Sequence, residues 1–146
     1  MSSPVDFKPN AIPICLPKTD DDFVGRTGTV TGWGRFSKNG GVSNFLREVQ
    51  LPIISNEHCM LLHRIRGFNE WIPNTNLCAG TLRGGRNSCV GDSGGPLVVK
   101  SSNGRYILAG IVSWGIGECG EPNSPGVYTR ISKFKSWINY VIAKFT

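Results

Sequence analysis

The sequence predicts an all-β fold of antiparallel strands finished by one C-terminal helix. Nineteen glycines and nine prolines in 146 residues punctuate the chain so often that short strands joined by turns fit it better than long helices. Apolar residues recur with the two-residue period of half-buried strands through the first half of the chain. The last segment switches to the helical period.

The first strand is "TVTGW", residues 29–33, and the second is "FLREVQLPII", residues 45–54, where Val49, Leu51 and Ile53 alternate with polar or turn residues. The Gly-rich "SKNGGVSN" at 37–44 between them has the length of a loop and not of a linker. In "PLVVKSSNGRYILAGIVSW" two apolar runs flank Asn103 and Gly104, a pair that supplies the positive backbone angles of a two-residue hairpin turn. At the end, Phe134, Trp137, Ile138, Val141, Ile142 and Phe145 form an apolar helical stripe, with Ser132 as the expected N-cap. A chain of this length forms one domain, burying roughly 68–70% of its unfolded surface. With 39% hydrophobic and 18% charged residues it is neither disordered nor fibrous.

Charge excludes some functions. The net charge is +6, but Arg64 and Arg66, Arg83 and Arg86, and Lys133 and Lys135 sit in separate segments without interleaved aromatics, which argues against nucleic acid as a partner. The longest apolar stretch, "YILAGIVSWGIG", is too short and interrupted to span a membrane. Five cysteines at 15, 59, 78, 89 and 119 match neither a C-x-x-C redox pattern nor a zinc spacing, leaving two disulfides and one extra thiol. His58 and His63 are about 500° apart on a helix, so they are read as surface residues, and no metal or other cofactor is expected. Disulfides point to secretion, yet residues 1–20 contain no apolar signal core. A secreted protein without its own N-terminal region reconciles the two.

The chemistry concentrates in "NSCVGDSGGP", residues 87–96. Gly91-Asp92-Ser93-Gly94-Gly95 satisfies the G-x-S-x-G pattern of a nucleophile elbow, but that elbow needs a helix after it. Here Gly95 and Pro96 lead straight into a strand. The glycines suit instead a tight loop whose Gly91 and Ser93 amides form an oxyanion hole beside the Ser93 hydroxyl.

Together, "CVGDSGGPL", "VTGWG", "NLCAG", "IVSWG", "PGVYTRI" and the terminal helix resemble the C-terminal half of a chymotrypsin/trypsin-like serine endopeptidase, from about Pro4 to the end. The resemblance implies a six-stranded antiparallel β-barrel with a C-terminal α-helix, the second barrel of a two-barrel serine protease fold, spanning 1–146. It implies Ser93 as nucleophile, Gly91 and Ser93 as the oxyanion hole, and Asp92 as the carboxylate that pairs with a new N-terminal ammonium on zymogen activation. Ser113, Trp114 and Gly115 would bind an extended protein or peptide substrate, and Asn87, Ser88, Gly115 and Gly126 would form the specificity pocket. Trypsin-like members carry Asp where this chain has Asn87, so the resemblance implies a pocket that disfavours Arg and Lys. It also pairs Cys59 with Cys78 and Cys89 with Cys119, and makes Cys15 a tether to an upstream light chain or propeptide. Gly28 and Val99 stand where another family bridge would have its cysteines.

The family's base histidine and orienting aspartate lie in "TAAHC"-like and "DIALL"-like motifs, and neither occurs here. The expectation is therefore a serine endopeptidase in truncated form, missing the N-terminal barrel and inactive alone. The alternative is a non-catalytic homologue that binds a partner through the same cleft.

Overall fold

The computed structural model describes residues 3–36 and 40–145. Strands β1 (Thr27–Gly32), β2 (Arg47–Ile54), β3 (Asn76–Ala79), β4 (Pro96–Lys100), β5 (Tyr106–Trp114) and β6 (Gly126–Arg130) are joined by helix α1 (Asn56–Ile65) between β2 and β3 and end in helix α2 (Ile131–Phe145). All neighbours pair antiparallel, and the order β1-β2-β3-β6-β5-β4 closes into a barrel. Closure leaves no open sheet edge to attract foreign strands.

The two-residue alternation fills the barrel. Leu51 and Ile53 of β2 are buried beside Leu77 and Ala79 of β3, Leu97 and Val99 of β4, Ala109 of β5 and Tyr128 of β6. Fully burying each Leu, Ile or Val here contributes about 1.5–3 kcal/mol. Gly28 lies opposite Val99 in the β1–β4 register, so the positions of the absent bridge are direct cross-strand partners. A Cβ at Gly28 would come within 2.6 Å of Leu97 Cδ1, so apolar packing occupies that space.

Two local expectations are corrected. The β4–β5 connection spans residues 101–105, since Lys100 pairs with Tyr106. Only Gly104 has a positive φ, of 82°; Asn103 instead accepts the Arg105 N–H with its side-chain oxygen, at 3.2 Å. The hairpin therefore closes through a longer turn with one left-handed residue. Ser132 does not cap α2, which begins one residue earlier at Ile131; its hydroxyl donates to the Asp21 carbonyl at 2.7 Å. Side-chain capping occurs instead at α1, where Ser55 Oγ accepts the His58 N–H at 3.2 Å. Residues 37–39 of the Gly-rich loop lie outside the described residues.

α1 is fastened to the barrel by the Cys59–Cys78 disulfide, with Ile72 and Val127 buried around it. Buried Arg130 adds a second fastening. Its guanidinium donates to the Asn76 carbonyl, the Asp22 carbonyl and Asn56 Oδ1 at 3.0, 3.2 and 3.2 Å. These bonds join β6 to the N-terminal segment and to α1.

Candidate active site

Ser93 sits in the loop between β3 and β4, at the surface, in a turn built by its neighbours. Gly91 and Gly94 hold φ of 98° and 81°, angles that side-chain-bearing residues seldom adopt. The Asp92 N–H donates to the Cys89 carbonyl at 2.9 Å, and the Gly95 N–H to the Asp92 carbonyl at 2.8 Å. Two bonds to β5 then fix the loop on the barrel: Gly94 N–H to the Val112 carbonyl and Val112 N–H to the Gly95 carbonyl, both 2.9 Å. The Gly91 and Ser93 amides donate to no acceptor among the described residues. No hydrogen bond joins the Ser93 hydroxyl to another described residue.

Asp92 turns its carboxylate inward. Oδ1 accepts the Gly34 N–H at 2.8 Å and Oδ2 the Cys89 N–H at 2.9 Å. A Cβ on Gly32 would lie 2.0 Å from Oδ1, and one on Gly34 2.5 Å from it, so both glycines are required by the carboxylate. The spacing of the glycines in "VTGWG" was thus a readable signal for a close approach, missed because its partner is 58 residues away.

A cavity of about 290 Å³ is lined by Ser93 together with Asn87, Ser88, Gly115 and Gly126 and the Ser113–Trp114 end of β5. The pairing of β5 with β6 shifts register between Val112 and Trp114, and the intervening Ser113 is exposed, as at a bulge. The floor is polar and neutral. Asn87 Nδ2 donates to the Ser124 carbonyl, and Oδ1 accepts the Ser88 N–H, both at 2.9 Å. Ser88 Oγ lies 3.0 Å from Tyr128 Oη. Burial, outweighing the Ser88 hydrogen bond and helped by the Asp92 charge, pushes the Tyr128 phenol up to about 12, so it stays protonated. A Cβ on Gly126 would come within 2.9 Å of Asn87 Oδ1, whereas one on Gly115 would meet nothing within 4 Å. The Cys89–Cys119 disulfide joins the serine loop to the opposite cavity wall.

The histidine expectation needs correction. His58 is exposed on α1, but His63 is fully buried, with Nε2 3.4 Å from the Pro125 carbonyl oxygen and its ring 5.9 Å from that of Trp114. The helix turns it inward because the face it shares with Cys59 is drawn onto the barrel by the Cys59–Cys78 bridge. Burial pushes the His63 imidazole below its ordinary range, with the Pro125 carbonyl and Glu70 opposing. Cys15 is half-buried with a free thiol, and its carbonyl accepts the Leu108 N–H at 2.9 Å. Among the described residues no cluster of side chains suits a metal ion, and no helix is long and apolar enough to cross a membrane.

Comparison with known proteins gives a consistent picture. The family model for trypsin matches residues 1–138. Serine proteinase stubble of Drosophila melanogaster is 54% identical over 138 residues, covering 94% of this chain and 17% of its own length. Serine protease filzig of the same organism is 48% identical over 141 residues, covering 97% of this chain and 8% of its own. Transmembrane protease serine 11G of Rattus norvegicus is 42% identical over 139 residues, covering 94% of this chain and 32% of its own. The chain thus spans less than a third of the length of these curated relatives.

Proposed function

This chain belongs to the trypsin family of serine proteases, and we propose that Ser93 is the nucleophile of a peptide-hydrolysing site whose base and orienting carboxylate come from outside these 146 residues. The observation that carries this reading is the pair of backbone amides at Gly91 and Ser93, without acceptors among the described residues, beside an exposed serine at the mouth of a cavity. Ser93 Oγ attacks the scissile carbonyl carbon as its proton passes to the base, and the two amides receive the charge that develops on the carbonyl oxygen. The base then protonates the leaving amine, and water releases the acyl group. His63 does not fill the base's role, since its Nε2 faces the Pro125 carbonyl.

Asp92 holds the loop in the shape that presents these amides, and in the complete enzyme pairs with an N-terminal ammonium. Ser113, Trp114 and Gly115 offer backbone to an extended substrate. Asn87 and Ser88 make the pocket floor, and Gly115 and Gly126 leave it open. The family's first barrel packs against the apolar face of α2 that includes Trp137, Ile142 and Phe145, which are 62%, 55% and 79% exposed here. Cys15 bridges to an upstream light chain or propeptide, and two disulfides suit an extracellular setting.

The test is covalent labelling with a fluorophosphonate. The activated full-length protein takes up one label per chain at Ser93, the Ser93→Ala variant takes up none, and residues 1–146 alone react slowly for want of a base. A folded, activated full-length protein that resists labelling would instead be a non-catalytic homologue that binds through the same cleft.

A further inference from the structure

The cavity beside Ser93 has a neutral floor but not a neutral wall. Asn87 uses its amide on the Ser124 carbonyl and the Ser88 N–H, and beside it the floor carries the Ser88 hydroxyl, backed from outside the cavity by Tyr128 Oη. The only charged side chain among the described residues lining the cavity is Glu118, which is exposed. It therefore stands at the rim.

Glu118 is held there by its neighbours. Its N–H donates to Glu121 Oε2 at 3.0 Å, and the same carboxylate oxygen pairs with Arg66. Cys119, the next residue, is bridged to Cys89 in the serine loop. The Gly85 N–H donates to the Gly120 carbonyl at 2.6 Å. Glu121 therefore serves as the anchor of the strap, its charge matched by Arg66. The Glu118 carboxylate enters no ion pair among the described residues. A strap tied on both sides that presents, at the cavity rim, one carboxylate without an ion pair among the described residues is an arrangement for a cation.

We propose that Glu118 is a specificity-determining residue that supplies, at the rim, the negative charge the pocket floor lacks. The substrate class is peptides that place a Lys or Arg side chain in the Ser93 cavity, recognised at its wall. This rests on the function proposed above. A rim carboxylate keeps much of its hydration, so its attraction is weaker than that of a buried ion pair and is screened by salt.

The experiment uses activated full-length protein and matched peptides differing only in the residue before the scissile bond, Lys or Arg against Gln or Met. The readout is the ratio of kcat/KM for basic over neutral substrates, with fluorophosphonate labelling of Ser93 as a separate check. At low salt Glu118→Gln lowers the ratio about fivefold, and Glu118→Lys lowers it further. In about 1 M salt, where the screening length is about 3 Å, the parent and Glu118→Gln converge. Normal labelling with the same ratio in parent and both variants overturns the assignment of Glu118. A fall that ignores salt overturns its placement at the rim. A parent that cannot be labelled overturns the underlying function instead.

Discussion

Replacing Gly32 by alanine tests whether the inward-facing Asp92 carboxylate organises the serine loop. The new Cβ would lie 2.0 Å from Oδ1 and 2.9 Å from Cγ of Asp92, and both atoms belong to a short side chain that cannot yield without turning away. Turning breaks the bond from Gly34 at 2.8 Å and strains the one from Cys89 at 2.9 Å. Hydrogen bonds to a charged group contribute about 1.5–3 kcal/mol each. Partial rehydration of a half-buried carboxylate offsets some of that, leaving a loss of about 2–4 kcal/mol. For a domain of this size 1 kcal/mol is about 2–4 °C in Tm, so a fall of about 5–15 °C is expected. Because Asp92 sits between the two candidate oxyanion amides, the rate of fluorophosphonate labelling at Ser93 should fall at least about tenfold with it. Gly115→Ala is the control for stability, since its Cβ meets nothing within 4 Å. Thermal unfolding and labelling rate together decide the matter. A Gly32→Ala protein with the parent's Tm and labelling rate would refute the reasoning.

Two further outcomes follow from the pocket and from α1. Asn87→Asp replaces the amide that donates to the Ser124 carbonyl at 2.9 Å with a group that cannot donate, so it should cost about 1–3 kcal/mol of stability. It should also raise the preference for Arg and Lys at least about tenfold, and a substrate panel showing no gain would remove Asn87 from the pocket floor. Burial disfavours charged His63 in the folded protein, so the unfolded chain binds that proton more readily. The contribution is complete above the ordinary histidine pKa of about 6.5 and is lost as pH falls from there through the lower folded value. His63→Leu should flatten the pH dependence of Tm over that interval, and equal slopes in parent and variant would contradict the burial account.

The strands were legible in the sequence because closure of a barrel with a packed interior imposes a period of two, plainest in Val49, Leu51 and Ile53. α1 was not legible from its own residues: "NEHCMLLHRI" mixes charged and apolar positions, and its seat depends on a bridge to Cys78 that no local pattern announces. The burial of His63 was missed for the same reason. Ser132 looked like a cap because its hydroxyl precedes an apolar helical stripe, but Asp21, distant in sequence, supplies a competing acceptor. At the candidate site, the neighbours of Ser93 were readable as a motif because one tight turn holds them. Glu118 and Tyr128 were not, since their relation to the cavity depends on a disulfide and on the far side of the barrel.

Tyr128 makes the two halves of this molecule hard to tune apart. Its ring is packed wholly inside the barrel, while its hydroxyl reaches the floor of the cavity through Ser88. Movement of that ring is therefore carried along a rigid arm to the floor of the proposed specificity pocket. On the proposed function, a substitution deep in the barrel acts on selectivity as well as on folding. An attempt to reshape the pocket must likewise reckon with the interior beneath it, because depth and firmness there are properties of the same aromatic side chain.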